Sequence, residues 1–295
     1  MVELHGSYDG SIQRGRFSGK ICVVTASTDG IGFAIAVQFA AEDALAVYIS
    51  SRKQKNVDSA LAIMTEKYGF RNVFGNVCHV ANRDQRQMLL QSVKSKHGRI
   101  DVLVLNAAVS TMFGPLLSEE HDVNESAWDK LFEINVKSTF FFAREAMPLL
   151  LASASEKRNS TNIVLISSIA GYESLPELGA YSITKTAMLA LSRVLAMEAA
   201  AMNIRVNAVA PGIIKTRFSE RLWHKPEDLS NSKSCTEQTS KNCDSSPTKT
   251  VSYVPLNRFG IPDDVSRMVA FVASSDADYI TGETFVVAGG MRSRL

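Results

Sequence analysis

Short apolar runs alternate along the chain with longer stretches in which apolar and polar residues recur at helical spacing. The apolar runs are rich in Val and Ile and almost continuous, which is typical of strands buried on both faces of a parallel sheet. We predict a β-strand in each of the seven runs, at residues 20–26, 45–51, 72–80, 100–108, 162–168, 204–211 and 283–290.

Helical patterns lie between these runs, for example at residues 32–43 and 128–151. After Tyr181, an apolar stripe recurs in steps of four and three, at positions 183, 187, 190, 194, 197 and 201, which indicates a further helix. Strand–helix alternation over the full length predicts one α/β domain of the Rossmann type. In it, a doubly wound, seven-stranded parallel sheet carries helices on both faces, with right-handed crossovers.

Two segments do not follow this pattern. Residues 224–250 are dominated by Ser, Thr, Lys, Asn and acidic residues, with little to bury. A loop of that length in a compact domain is usually a lid or disordered, so we predict a mobile polar lid. Residues 1–17 are predicted to be an extension that precedes a single catalytic domain at 18–292.

The composition is that of a globular protein and excludes several classes. Of 295 residues, 45% are hydrophobic, and 32 basic residues nearly balance 30 acidic ones. The chain therefore lacks the basic excess of a nucleic-acid binder, and no apolar run approaches the ~18 residues of a membrane span. Four cysteines are scattered without a Cys-x-x-Cys pair, which indicates a reducing compartment and no zinc or other metal site.

The two ends carry signals for cellular location. The first 17 residues lack the apolar core of a secretory signal, and their acids Glu3 and Asp9 argue against a mitochondrial transit peptide. The last three residues, Ser293-Arg294-Leu295, differ in one position from the peroxisomal signal Ser-Lys-Leu. They predict recognition by the peroxisomal import receptor and a peroxisomal location, with a cytoplasmic pool as an open alternative.

A tyrosine and a lysine lie four residues apart at the start of the helix after residue 180, in the stretch YSITK. On a helix they share one face, with Cβ atoms roughly 5–6 Å apart. A lysine cation at that distance favours the phenolate and lowers the tyrosine pKa from about 10, which makes Tyr181 a usable proton donor near neutral pH. Taken alone, the pair Tyr181 and Lys185 is more often a surface pair than a catalytic one.

The first predicted strand ends in the glycine-rich stretch TASTDGIG and leads directly into a helix. Gly30 and Gly32 allow the backbone to approach a pyrophosphate, and the helix N-terminus favours its negative charge. The alternative is a glycine turn that serves only tight packing of strand against helix.

The end of the second predicted strand reads Ser50-Ser51-Arg52-Lys53. A cofactor with a free ribose 2′-hydroxyl calls for an acidic residue at this position. Two cations and two hydroxyls instead suit a 2′-phosphate, which Arg can bind with two parallel hydrogen bonds. The stretch predicts NADPH as cofactor; without a dinucleotide it is only a solvated basic strand end.

Together these motifs resemble the short-chain dehydrogenases/reductases from about residue 18 to the C-terminus. The matching residues, in the order and spacing of that family, are Thr25, Gly30-Ile31-Gly32, Asn106-Ala107-Ala108, Asn135, Ser167-Ser168, Tyr181-x-x-x-Lys185 and Pro211-Gly212-x-x-x-Thr216. The combined set is highly specific, although each piece alone is not. The resemblance therefore predicts that Tyr181 and Lys185 are catalytic residues.

The resemblance implies a role for each catalytic residue. Tyr181 donates a proton to the carbonyl oxygen, and Ser168 stabilises the charge that develops there. Lys185 lowers the tyrosine pKa and holds the nicotinamide ribose. Asn135, predicted to lie inside a helix, should orient a water that connects Lys185 to solvent; the alternative is that its side chain only bonds backbone.

The resemblance also implies a cofactor-binding set, in which Ile214 and Thr216 meet the nicotinamide carboxamide and the phosphates. The full predicted set is Thr25, Ser27, Gly30, Ile31, Gly32, Ser51, Arg52, Lys53, Val80, Asn106, Ala107, Tyr181, Lys185, Ile214 and Thr216.

Three features depart from the family pattern. Ala26 stands where glycine is usual, the usual Asn-Asn-Ala-Gly reads Leu105-Asn106-Ala107-Ala108, and His79 replaces the acid that commonly contacts the adenine. These changes leave the details of the adenine and ribose contacts open.

Further stretches are similar to one branch of the family, the peroxisomal NADPH-dependent carbonyl reductases and retinol dehydrogenases. They are ASTDGIG, SSRKQKNVD, NAAV, GIIKT, YITGET and SRL. This branch implies reduction of ketones, dicarbonyls or retinal by a homotetramer, with the apolar helices around 140–142 and 187–197 packed against symmetry mates. Two alternatives stay open, a 3-oxoacyl thioester reductase and a dinucleotide-binding sensor without turnover.

Overall fold

The computed structural model describes residues 15–117, 124–155, 161–223 and 254–292. In this part of the chain, seven strands form one fully parallel sheet in the order β3-β2-β1-β4-β5-β6-β7. The predicted seven-stranded parallel sheet is confirmed. The strands are β1 (Ile21–Val24), β2 (Ala46–Ser51), β3 (Val73–Val77), β4 (Val102–Leu105), β5 (Thr161–Ile166), β6 (Ile204–Pro211) and β7 (Thr284–Val287).

The inner strands are buried almost completely, whereas β3 and β7 are only half-buried along their lengths. The expectation of burial on both faces is therefore wrong for these two strands. They lie at the two edges of the sheet, where one side has no neighbouring strand.

Helices cover both faces of the sheet, each over its own apolar core. On one face, α1 and α8 pack against β1, β2 and β5. On the other, α3 packs against β3, and α5 and α6 pack against β4, β5 and β6. The doubly wound arrangement is thus confirmed. The helices are α1 (Gly30–Ala41), α2 (Gln54–Ala62), α3 (Arg83–His97), α4 (Glu125–Phe132), α5 (Ser138–Ser155), α6 (Gly179–Ala200), α7 (Glu220–Trp223) and α8 (Pro262–Ala273).

The packed domain begins earlier than the predicted boundary after residue 17. Phe17 is fully buried, and its ring centroid lies 4.5 Å from that of Phe39. Arg16 binds the Glu42 carboxylate through two nitrogens at 2.5 and 2.6 Å. Residues 1–14, the predicted lid at 224–250 and the tail at 293–295 lie outside the described residues.

The predicted helix at 128–151 is longer and is interrupted once. Its two halves, α4 and α5, are joined by a π-helical turn at Glu133–Lys137, which contains Asn135. Such turns widen the helix locally and occur frequently at functional sites.

The face of α6 that packs on the sheet is not the stripe that the sequence pattern picks out. Residues Tyr181, Lys185 and Met188 face inward, while Ile183 and Met197 of the predicted stripe are 42% and 74% exposed. A helix that is apolar on most sides shows a helical period without revealing which side is buried.

No helix in the described residues is both long and apolar enough to cross a membrane. Within the same part of the chain, no three His, Cys, Asp or Glu side chains cluster as metal ligands would. Cys22 and Cys78 are unbridged and buried, and burial raises the pKa of the Cys78 thiol to about 11. They are small core residues, as their positions in apolar runs indicate.

Candidate active site

A cavity of about 230 Å³ opens at the carboxyl ends of the central strands. It lies where the strand order reverses between β1 and β4, the place at which ligands bind in open α/β sheets. The loops after β1, β4, β5 and β6 all contribute to its wall. The predicted residues that line it are Gly30, Ile31, Gly32, Asn106, Ser168, Tyr181, Lys185, Ile214 and Thr216.

Tyr181 and Lys185 occupy the first turns of α6, both on its buried face. The Lys185 Nζ lies 5.5 Å from the centre of the Tyr181 ring and donates a hydrogen bond of 2.8 Å to the carbonyl oxygen of Ile166. The structure therefore confirms that the two side chains share one face, and it places that face in the cavity.

Ser168 brings a second hydroxyl to the tyrosine. It caps the short 3₁₀ turn Ile169–Gly171, where its Oγ accepts from the backbone N–H of Ala170 at 3.1 Å. The Ser168 side chain lies near enough to the Tyr181 hydroxyl to lower its pKa. Two hydroxyl groups thus lie together at the cavity wall, an arrangement that can bind a single carbonyl oxygen.

The direction of the tyrosine pKa differs from the expectation. Burial raises the pKa of Tyr181, and the neighbouring Ser168 hydroxyl offsets this only in part. Burial also lowers the pKa of Lys185 to about 7, so much of the lysine charge that should favour the phenolate is lost at neutral pH. At pH 7 Tyr181 consequently holds its proton, which is the state that a proton donor needs.

Gly171 is a site residue that the sequence reasoning missed. A Cβ at this position would lie 2.8 Å from the backbone carbon and oxygen of Lys185. The Gly171 carbonyl accepts from Thr186 Oγ1 at 2.9 Å, and Ser167 Oγ donates to the Lys185 carbonyl at 3.1 Å. Only glycine allows the turn after β5 to lie this close to α6 and so fix Lys185 beside Ser168.

The Asn135 side chain bonds groups of two neighbouring segments. Its Oδ1 accepts from the Val109 N–H at 2.8 Å, and its Nδ2 donates to the Val109 carbonyl at 2.9 Å and to Thr184 Oγ1 at 3.0 Å. Backbone bonding, the alternative role given for Asn135, is therefore observed, and the water role stays a prediction. The residue joins the loop after β4 to α6 and does not line the cavity.

Thr25 and Ser27, both predicted to contact the cofactor, are buried away from the cavity. Thr25 Oγ1 accepts from the N–H groups of Asn106 and Ala107 at 2.9 and 3.2 Å. Ser27 Oγ donates to the Val24 carbonyl and accepts from the Ser50 N–H, at 2.6 and 3.0 Å. Their side chains shape the turn that surrounds the cofactor site and have no free direction toward a ligand.

The glycine-rich turn has the form expected of a pyrophosphate cradle. Gly30 has a positive φ of +56°, and a Cβ on Gly32 would lie 2.5 Å from Asn106 Nδ2 and 2.6 Å from the Ala26 carbonyl. The unpaired first-turn N–H groups of α1 start at this point. Ala26 itself has φ +50°, which explains why glycine is usual there and means that alanine carries some backbone strain.

An ion pair spans the mouth of this cradle. Arg217, from the loop after β6, binds the Asp29 carboxylate at 2.5 and 2.6 Å, and both residues line the cavity. Asp29 also caps α1 by accepting from the Gly30 N–H at 2.8 Å. Because a carboxylate would repel a bound pyrophosphate, the arginine compensates for a negative charge at the helix start.

Arg52 and Lys53 are exposed at the end of β2, outside the cavity. Ser51 pairs with Val77 in the sheet, so Arg52 and His79 follow adjacent strand ends. Burial lowers the pKa of His79, and the cations Arg52 and Lys130 lower it further. This corner is therefore basic and supplies cations where a parallel sheet would hold the adenosine end of a dinucleotide.

Two other predicted contacts, Val80 and Ala107, do not line the cavity. Val80 is buried in the core, and its carbonyl accepts from Arg86 Nη1 at 2.6 Å. Ala107 packs against the same core cluster, and its N–H donates a hydrogen bond to Thr25 Oγ1.

The outer wall of the cavity is apolar and was not predicted. It comes from loop residues and α7, which have no periodic pattern to identify them, and it includes Ser110, whose buried hydroxyl has no partner among the described residues. The ring of Phe218 lies 6.0 Å from that of Tyr181. The wall consists of Phe113, Leu175, Leu178, Phe218 and Leu222, together with Arg221.

Comparison with known proteins agrees with this geometry. Residues 20–227 match the family model described as short chain dehydrogenase, and residues 235–292 match one described as Enoyl-(Acyl carrier protein) reductase. The chain is 42% identical over 286 residues to dehydrogenase/reductase SDR family member 4 of Bos taurus, covering 97% of this chain and 92% of that protein. The chain is also 40% identical over 280 residues to the protein of the same name from Caenorhabditis elegans, covering 95% of this chain and 98% of that protein.

Among solved structures, the crystal structure of gox2181 superposes with a TM-score of 0.77 at 26% identity, covering 92% of this chain and 95% of that one. Sheet order, catalytic geometry and sequence similarity along nearly the whole length therefore agree, and the chain belongs to the short-chain dehydrogenase/reductase family.

Proposed function

We propose that the protein is an NADPH-dependent reductase that converts ketones, dicarbonyls or retinal into the corresponding alcohols. The observation that carries this proposal is the joint placement of Ser168, Tyr181 and Lys185 in the wall of an apolar cavity beside the glycine-rich turn. Members of the family use a nicotinamide dinucleotide, which here supplies the hydride for the carbonyl carbon.

The residues of the chain handle the oxygen end of the reaction. The substrate carbonyl oxygen accepts hydrogen bonds from the Tyr181 and Ser168 hydroxyls, and the tyrosine proton passes to it as negative charge develops. Burial keeps that proton on Tyr181 at neutral pH. Lys185, with a pKa near 7, can return a proton to the tyrosine after each turnover.

The preference for NADPH rests on the strand end at Ser51, Arg52 and Lys53. The strand end itself holds no acidic side chain. The acidic residue of the following helix α2, Asp58, accepts a hydrogen bond from Gln54 Nε2 at 2.7 Å. Arg52 is exposed, and His79 lies close enough for the arginine charge to lower its pKa. Cations suit a 2′-phosphate, whereas a ribose 2′-hydroxyl calls for a carboxylate.

A direct assay tests the activity and the open alternatives together. Purified protein is mixed with NADPH and, separately, with retinal, an aromatic diketone and acetoacetyl-CoA, and cofactor oxidation is followed. Turnover of retinal or the diketone supports the proposal. Turnover of acetoacetyl-CoA alone would establish a thioester reductase, a possibility raised by the model matched at 235–292. Binding of NADPH without turnover of any compound would indicate a sensor.

The predicted homotetramer is retained as a proposal because α6 exposes an apolar stripe. Ile183, Val194 and Met197 are 42%, 45% and 74% exposed, and such a face on one helix usually serves a partner surface. We expect a mass of four chains by light scattering at micromolar concentration. Changing Val194 and Met197 to Lys should reduce the measured mass. A monomeric mass for the unaltered protein would contradict the proposal.

The peroxisomal location also remains a proposal, supported by the Ser293-Arg294-Leu295 sequence. A fusion with a fluorescent protein at the N-terminus should localise to peroxisomes. Deletion of these three residues should leave the fusion protein in the cytosol. An unchanged pattern after deletion would contradict the proposed signal.

A further inference from the structure

Arg221 stands at the mouth of the cavity with its guanidinium over an aromatic ring. Its Cζ lies 4.9 Å from the centre of the Phe113 ring, and both residues line the cavity. Arg221 is carried by α7, the short helix after β6, and is exposed. A guanidinium over a ring face is attracted to it, and its N–H groups can still donate to a ligand.

The charges around the cavity leave Arg221 available to a ligand. The other charged residues in the wall are Asp29, Arg217 and Lys185. Arg217 is bound to Asp29, and Lys185 lies at the reacting end, bonded to Ile166. No carboxylate among the described residues pairs with Arg221.

The space between Arg221 and the reacting hydroxyls is apolar. Leu178 and Tyr181 form a buried cluster, against which Phe113, Leu175 and Leu222 pack. A ligand that runs from Tyr181 to Arg221 therefore meets hydrocarbon along its middle, a carbonyl-binding pair at the inner end and a cation at the outer end.

We propose that Arg221 recognises an anionic group, in particular a carboxylate, on substrates whose carbonyl lies at the other end of an apolar body. Aromatic or long-chain oxo acids with remote carboxylates are the class that fits. This inference rests on the proposed carbonyl reductase activity and names the substrate preference of the same site. A guanidinium edge binds a carboxylate through two parallel hydrogen bonds, which neither Lys nor a neutral side chain can replace.

The test compares one ketone with and without its charge. Initial rates with NADPH are measured for 4-benzoylbenzoate and for its methyl ester, in the unaltered protein and in Arg221→Met. We expect the unaltered protein to favour the acid at least tenfold in kcat/KM. Arg221→Met should raise KM for the acid by roughly ten- to hundredfold, the range for hydrogen bonds to a charged group, and leave the ester unchanged.

Two matched variants and a second acid sharpen the test. Arg221→Lys keeps the charge but not the two-bond geometry and should recover only part of the preference. Arg71→Met removes one exposed cation away from the cavity and should change nothing. Benzoylformate carries its carboxylate beside the carbonyl, out of reach of the cavity mouth, and should be insensitive to Arg221→Met.

The outcomes separate this inference from the proposed function. Reduction of both benzoylbenzoate compounds with equal efficiency, or an acid preference that survives Arg221→Met, overturns the role of Arg221 and leaves the reductase standing. Reduction of retinal or the diketone but of neither test compound also overturns it. Failure to reduce any carbonyl in either assay overturns the proposed function, and the substrate preference with it.

Discussion

Replacing Tyr181 with Phe is expected to lower the turnover of carbonyl reduction by roughly 10²–10⁴, the usual contribution of a positioned general acid. The substitution keeps the buried ring and its contact with Phe218, whose centroid lies 6.0 Å away. It removes the proton and the hydroxyl that lies beside Ser168. Binding of NADPH, measured by fluorescence titration, should change little, because the lost hydroxyl faces the carbonyl oxygen.

Tyr48 offers a matched control for this substitution. It is also fully buried, and its hydroxyl has no hydrogen-bond partner among the described residues. Burial raises its pKa to about 12, but it lies in β2, outside the cavity wall. Tyr48→Phe should retain full turnover with equal or slightly greater stability. Near-normal turnover in Tyr181→Phe would refute the proposed mechanism.

Replacing Arg52 with Ala should raise KM for NADPH by at least tenfold and leave KM for NADH nearly unchanged. The 2′-phosphate is the group by which the two cofactors differ, so selectivity depends on contacts made there. Hydrogen bonds to charged groups contribute about 1.5–3 kcal/mol each, which is roughly a ten- to hundredfold change in affinity. The measurement is the ratio of kcat/KM for the two cofactors in the unaltered protein and in the variant.

Lys55 is the matched control for Arg52, because it is an exposed cation on the same segment, in the first turn of α2. Lys55→Ala should leave the cofactor ratio unchanged, whereas Ser51→Asp should repel the phosphate and add to the effect of Arg52→Ala. An unaltered protein that prefers NADH, or a ratio that does not move in Arg52→Ala, would show that the basic strand end has another role.

Local sequence determined the sheet and the frame of the site. Each predicted strand contains an observed strand or, for β5, matches it to within one residue at its start, since buried parallel strands must be apolar for several residues in succession. Gly30 and Gly32 were identifiable because a turn between strand and helix needs glycine to bring backbone close to a phosphate. The four-residue spacing of Tyr181 and Lys185 placed both on one helix face before any tertiary contact was considered.

Tertiary structure alone decided properties that depend on surroundings. The tyrosine pKa is raised because the fold buries Tyr181, an effect that spacing along a helix cannot reveal. Asn135 bonds Val109 because the loop after β4 passes beside the π turn.

Two further residues illustrate the same limit. Gly171 is required where a turn meets the backbone of Lys185, and Arg221 lines the cavity with its guanidinium over the Phe113 ring, which comes from a distant loop. Periodicity and motif spacing record the contacts that a residue makes within its own element, so contacts between distant loops become visible only when the chain is folded.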